Sequence, residues 1–233
     1  MQLRLESRPV GDVLIVNCHG RIVSGNEVFT LHSYVGDAIA KYGDVVLQLE
    51  NVDFVDSSGL GALVRLTQAA RAKGGDLKLT MVPARIHKAL QMTSLLSQFE
   101  VYDSVEEAIT AAYLGSRYSR CKEGDSRPRV LCVYESYDVC TFVREVLCGA
   151  GYNALTTVAI DDARILLKAT KARIVVISAR MQTTYGKSTR KVLEEIDPAV
   201  SVLDLPDDFA AQDPGEAAEK LLEVIRGQNA AVS

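Results

Sequence analysis

Apolar positions change their period repeatedly along the first 115 residues, and each change marks an element. Leu3 and Leu5 alternate with polar neighbours, and Val13-Leu14-Ile15-Val16 follows the turn-like cluster Pro9-Val10-Gly11-Asp12. Two early strands are predicted there. Gly20 to Gly25 reads as a loop. From Asn26 to Lys41 the apolar residues Val28, Phe29, Leu31, Val35, Ala38 and Ile39 give helical spacing, closed by Gly43. Asp44 to Leu49 is a near-continuous apolar run, as a strand buried on both faces would be. A helix over Ser57–Lys73 turns Leu60, Leu63, Val64 and Leu66 toward the sheet and stops at Gly74-Gly75. Leu77, Leu79 and Met81 predict a strand ended by Pro83. Helix Ile86–Phe99, a short strand Val101-Tyr102 and helix Val105–Leu114 follow. Two strands and then alternating helix and strand imply a mixed sheet with helices packed against it.

The rest of the chain alternates more regularly. Strands are predicted at Arg129–Val133, Gly151–Leu155, Arg173–Ser178 and Val200–Leu205. Helices are predicted at Tyr137–Gly149, Asp161–Thr170, 185–196 and Pro214–Gly227, the last opened by Asp213. This order belongs to the parallel α/β class. Residues 228–233 read as a tail.

Charge divides the chain in the same way. Residues 1–116 carry 10 basic against 13 acidic side chains, and residues 130–233 carry 11 against 15. Between them, residues 117–129 carry 5 against 2 and end in Pro128-Arg129. A polar linker is therefore expected over 117–128, between domains at 1–116 and 129–227. Two mildly acidic domains do not read as nucleic-acid binders. No apolar run reaches membrane-spanning length and the N-terminus lacks a signal-peptide pattern, so a cytoplasmic protein with no membrane segment is expected. The five cysteines have no metal-ligand spacing and the three histidines are scattered, so neither a metal nor another cofactor is expected.

The chemistry concentrates in Asp56-Ser57-Ser58-Gly59-Leu60-Gly61, where a buried strand turns into a helix. A helix N-terminus has unpaired N–H groups and partial positive charge. A serine there can cap the helix or carry a phosphate in a favourable field. On spacing alone, Asp-Ser-Ser before an apolar helix is an ordinary capping signal. Ser57 is read as a cap rather than a second phosphosite. Asp56 is read as a helix cap or loop brace, with contact to a partner as the alternative. Gly59 and Gly61 remove side chains beside the hydroxyls, which would let another protein approach the backbone. Ser24 and Asn26 precede the first helix and are expected near the same face.

The run Asn51-Val52-Asp53-Phe54-Val55-Asp56-Ser57-Ser58-Gly59-Leu60-Gly61 resembles the signature of the anti-sigma factor antagonist family, whose fold is the STAS domain. The resemblance covers about residues 1–115. It implies a STAS-like mixed sheet and a phosphorylation-switched binding protein that is not an enzyme. Ser58 is the position phosphorylated in that family. The implied partners are an anti-sigma factor, a serine kinase of the histidine-kinase-like ATPase type whose capture frees a sigma factor, and a PP2C-type phosphatase that resets the switch.

The second domain resembles a response-regulator receiver in its order of elements, but not in its chemistry. Where a receiver places paired acidic residues to hold Mg²⁺, this chain has Tyr134-Glu135, and where it places the phosphoacceptor Asp, this chain has Ser178. A single carboxylate makes a poor hard-cation site. The resemblance thus implies a degenerate receiver-like parallel α/β domain used for contact: dimerising the chain, covering the first domain's surface, or docking a further partner. Glu135 and Ser178 are read as a loop residue and a strand-end cap. The alternative function is an assembly scaffold in which Ser58 is never modified. No nucleophile–base pair, catalytic carboxylate pair or phosphate-cradling glycine loop supports an enzyme.

Overall fold

The computed structural model describes residues 2–114, 127–181 and 188–232, the last five without side chains. The chain divides into two compact units, Met1–Cys121 and Lys122–Ser233. The linker expected over 117–128 falls almost wholly outside the described residues, as does the start of the helix expected over 185–196.

The first unit is a five-stranded mixed sheet in the order β1-β2-β3-β4-β5. Strands β1 (Arg4–Val10) and β2 (Val13–Ile22) form an antiparallel hairpin around Gly11-Asp12. After helix α1 (Asn26–Tyr42), strand β3 (Asp44–Val55) runs parallel to β2. Helix α2 (Ser57–Ala72), strand β4 (Leu77–Thr80), helix α3 (Ala84–Met92), strand β5 (Glu100–Tyr102) and helix α4 (Val105–Leu114) complete the unit. Strands β3, β4 and β5 are mutually parallel.

Alternation along β3 sets the two layers. Val45, Leu47, Leu49, Val52 and Val55 join the core with Leu31, Val35 and Ile39 of α1 and Leu60, Leu63 and Leu66 of α2. Val46 faces the other way. Against β3, β4 and β5, α4 buries Ala108, Ile109, Ala112 and Tyr113. The Tyr113 hydroxyl reaches across to the β1–β2 turn, where it accepts from Asp12 N at 2.8 Å.

Three elements depart from the sequence pattern. The loop expected over 20–25 is shorter, because β2 continues to Ile22 and β3 continues past Leu49 to Val55. Beyond Gln48 pairing with β4 ends, and beyond His19, which still pairs with Arg4 of β1, the two strands pair only with each other, through Gly20↔Val52, Arg21↔Phe54 and Ile22↔Val55. The polar residues of this ribbon mask it from pattern reading. The helix expected over Ile86–Phe99 ends at Met92, where Ser94 takes a φ of +57° and a single 3₁₀ turn follows at Leu96–Gln98. Phe29, expected on the apolar face of α1, is 74% exposed. It follows Val28 and lies roughly 100° around the helix from it, off the stripe that Leu31 and Val35 define.

The second unit is an all-parallel sheet in the order β7-β6-β8-β9, with β6 Arg129–Val133, β7 Asn153–Thr157, β8 Ile174–Ser178 and β9 Ser201–Leu205. Helices α5 (Tyr137–Gly149), α6 (Ile160–Thr170), α7 (Thr189–Glu194) and α8 (Pro214–Val232) alternate with them. Strand order reverses between β6 and β8, as in doubly wound sheets, where that point opens a crevice at the strands' carboxyl ends. The tail expected over 228–233 is a correction: α8 continues through Gly227 to Val232. One glycine costs a helix only about 1 kcal/mol, and the alanines beyond it favour helix.

The Tyr113 contact is testable. Tyr113→Phe leaves Asp12 N without that acceptor, and a buried unpaired donor costs about 1–3 kcal/mol. A lower urea midpoint of unfolding is the expected result.

Candidate functional site

The β2–β3 ribbon ends where α1 and α2 begin, so the loop Val23–Gly25 and the motif Asp56–Gly61 lie side by side. Asp56 joins them. It is the N-cap of α2 in extended conformation, and its Oδ1 accepts from Gly59 N at 2.8 Å. Its Oδ2 accepts from Ser24 N, also at 2.8 Å. Its own N–H donates to Ile22 O at 3.2 Å. The N–H donors of Ser24 and then Gly59 hold the carboxyl below its usual pKa, and the Arg21 charge adds to the effect. The expectation of Ser57 as cap is therefore corrected: Asp56 caps, and Ser57 is an exposed residue of the first turn. A carboxylate suits this role better than a hydroxyl because it serves two loops and also answers the helix dipole.

Capping by Asp56 leaves Ser58 without a structural duty. Ser58 is half-buried, and its hydroxyl has no hydrogen bond to any described residue. Ser24 and Asn26 are exposed and Gly61 is half-buried. Gly59 and Leu60 are buried and support this face from beneath. Gly59 is required by the chain's own packing: a Cβ there would stand 2.4 Å from Ile22 O and 2.8 Å from Val55 Cγ1. Gly61 is different, since a Cβ there would meet only Arg65 Nη1, at 3.4 Å.

Pattern reading missed the neighbours that steady this end of the sheet. A register irregularity leaves Asp53 unmatched between the pairs Gly20↔Val52 and Arg21↔Phe54, and such bulges re-aim the adjacent side chains. The Arg21 guanidinium stacks 5.1 Å from the Phe54 ring centroid. Arg85, in the first turn of α3, donates to Val52 O and Asp53 Oδ1, both at 3.3 Å. Asp53 is thus ion-paired as well as close to the motif. No local signal in the sequence announces either arginine, because each meets its partner through the fold.

In the second unit, Glu135 and Ser178 come together at the carboxyl ends of β6 and β8. Ser178 Oγ donates to Glu135 Oε1 at 2.9 Å and accepts from Arg180 N at 3.2 Å. Tyr134 is buried, with its ring 6.4 Å from that of Phe209. Burial, and then the charge of Glu135, pushes its hydroxyl pKa up. One carboxylate, one bonded hydroxyl and a buried ring do not fit the Mg²⁺ of a receiver. Among the described residues no three His, Cys, Asp or Glu side chains gather as a metal group. No described helix is long and apolar enough to cross a membrane.

The family model of the STAS domain matches residues 4–108. The chain is 30% identical over 112 residues to an anti-sigma F factor antagonist of Paenibacillus polymyxa, a match that takes in 47% of this chain and 95% of that protein. Among solved structures it is similar to an anti-sigma factor antagonist from Mycobacterium paratuberculosis, at 20% identity over 48% of this chain and 94% of that one, with a TM-score of 0.43. It is also similar to the Bacillus cell fate determinant SpoIIAA in its phosphorylated form, at 21% identity over 46% and 96%, with a TM-score of 0.38.

Two substitutions check this geometry. Gly59→Ala should destabilise the first unit by about 1–3 kcal/mol, seen in thermal or urea unfolding, because backbone lies where the methyl group must go. Asp56→Asn keeps one acceptor and loses the charge. Since folding lowers the Asp56 pKa, its charge-dependent contribution is complete above the unfolded value of about 3.9 and is lost as pH falls through the lower folded value. The stability difference between wild type and Asp56→Asn should therefore be constant above about pH 5 and shrink below about pH 4.

Proposed function

The chain belongs to the STAS-domain family of anti-sigma factor antagonists, and from that premise we propose that Ser58 is its phosphorylation switch. In this reading the unphosphorylated first unit binds an anti-sigma factor and so releases a sigma factor to transcription. That partner is a serine kinase of the histidine-kinase-like ATPase type, which phosphorylates Ser58, and a PP2C-type phosphatase removes the phosphate. The chain is the substrate of this chemistry and performs none itself. Ser57, Ser24, Asn26 and Gly61 form the docking face around Ser58, with Asp56, Gly59 and Leu60 holding it in shape.

One observation carries the proposal: Asp56 performs the capping, so the hydroxyl of the half-buried Ser58 is left without a partner among the described residues. A phosphate adds about −1.5 to −2 charges and three acceptor oxygens. At the first turn of α2 this charge is favoured by the helix dipole, and no acidic side chain occupies that turn. Phosphorylation therefore leaves the fold standing and acts on the partner through bulk and charge. A loss of about 1.4 kcal/mol at the interface is already tenfold in affinity. The second unit acts in this reading as a contact module, since the strand-end positions of a receiver are here closed by the Glu135–Ser178 hydrogen bond.

Incubation with a candidate kinase and ATP should add the mass of one phosphate to wild type and none to Ser58→Ala. In pulldowns, Ser58→Ala should retain the kinase and Ser58→Asp should lose it by tenfold or more, following the affinity arithmetic above. Modification absent at Ser58 with every candidate kinase would favour an unmodified scaffold.

A further inference from the structure

Arg21, Arg85 and Arg65 differ in their engagements. Arg21 lies over Phe54. Arg85 is held by Asp53 and Val52 O. Arg65 makes no ion pair or hydrogen bond with any described residue and is exposed. It follows Ser58 by seven residues on the same helix, so the two side chains leave the axis about 20° apart. Helical side chains lean toward the N-terminus, and Arg65 does so: its Nη1 lies 3.4 Å from where a Gly61 Cβ would stand. Gly61 in turn is three residues from Ser58, a spacing that sets Cβ positions about 5–6 Å apart. The guanidinium thus lies back along the helix, toward the turn that carries Ser58.

We propose that Arg65, lying across Gly61, is the counter-ion of a phosphate on Ser58 and holds that phosphate on the docking face as the dianion. This rests on the reading of Ser58 given above. Other charges also act at this end: the Asp56 carboxylate, held by Ser24 and Gly59, opposes the dianion, and Arg21, over Phe54, favours it, while Asp53 pairs with Arg85 and Glu27 sits in the first turn of α1; all are the same in wild type and Arg65→Gln, so the difference between the two reads Arg65 alone. A phosphoserine loses its second proton near pH 6, so near neutrality an unassisted phosphate is partly monoanionic. A guanidinium beside it favours the dianion and presents a planar fork to its oxygens. The modification then changes two features of the face together, since it adds a phosphate and draws in an arginine that was free.

The test uses the full chain with phosphoserine installed at position 58 during translation, so that no kinase is involved. The second phosphate pKa, followed by ³¹P NMR, should be about 0.5 unit lower in wild type than in Arg65→Gln, with Arg65→Lys between them. Coincident titrations of wild type and Arg65→Gln would overturn the assignment of Arg65. That result does not bear on whether a kinase modifies Ser58, and an unmodified Ser58 in the kinase assay leaves this titration unaffected.

Discussion

The end of the first unit that carries the motif depends on one carboxylate that serves two loops. Asp56 takes a backbone N–H from Ser24 with one oxygen and from Gly59 with the other. The first bond pins the turn that leads into α1. The second satisfies one of the orphan donors of α2. A neutral hydroxyl at this position could answer one of these demands but has only one oxygen to offer and no charge for the helix dipole. Because both bonds stabilise the ionised form, the joint is at full strength above the ordinary carboxylate pKa and weakens only in acid.

This division of labour makes a switch compatible with a rigid fold. Ser57 and Ser58 occupy a helix start yet are not needed to cap it. Beneath them, Gly59 brings α2 against Ile22 O and Val55 so closely that no side chain fits. Beside them, Arg85 and the Arg21–Phe54 stack steady the ribbon that carries the motif. The face is thus rigid before any partner arrives, and a proposed phosphate would alter its charge and shape without a conformational change in α2. Pre-organisation of this kind also limits the ordering cost of docking.

The second unit shows what happens when parallel strands end without such a free group. Its strand reversal lies between β6 and β8, where doubly wound sheets bind ligands. Here Ser178 is buried at one strand end and bonded to Glu135 at the other, and Tyr134 turns inward against Phe209. At these strand ends the Ser178 hydroxyl is bonded to Glu135, whereas the Ser58 hydroxyl of the first unit has no partner among the described residues.

Local periodicity determined much of this protein. The two-strand opening, the helix ended by Gly43, the buried run beginning at Val45, the helix starting at Ser57 and the strand–helix alternation after Arg129 were all legible, since apolar spacing and helix-ending glycines report short-range structure directly. The motif was legible as a place where a strand becomes a helix. The sequence offered both Asp56 and Ser57 as caps, and tertiary structure decided between them. Asp56 wins because Ser24, 32 residues earlier in the chain, supplies its second donor. The same holds for the extension of β2 and β3, whose polar residues hide a ribbon stabilised only by pairing between distant segments. It holds for Gly59, whose need for no side chain comes from the Ile22 carbonyl opposite it. These contacts join positions far apart in sequence, and no periodic pattern encodes which backbone group will arrive to meet a given side chain.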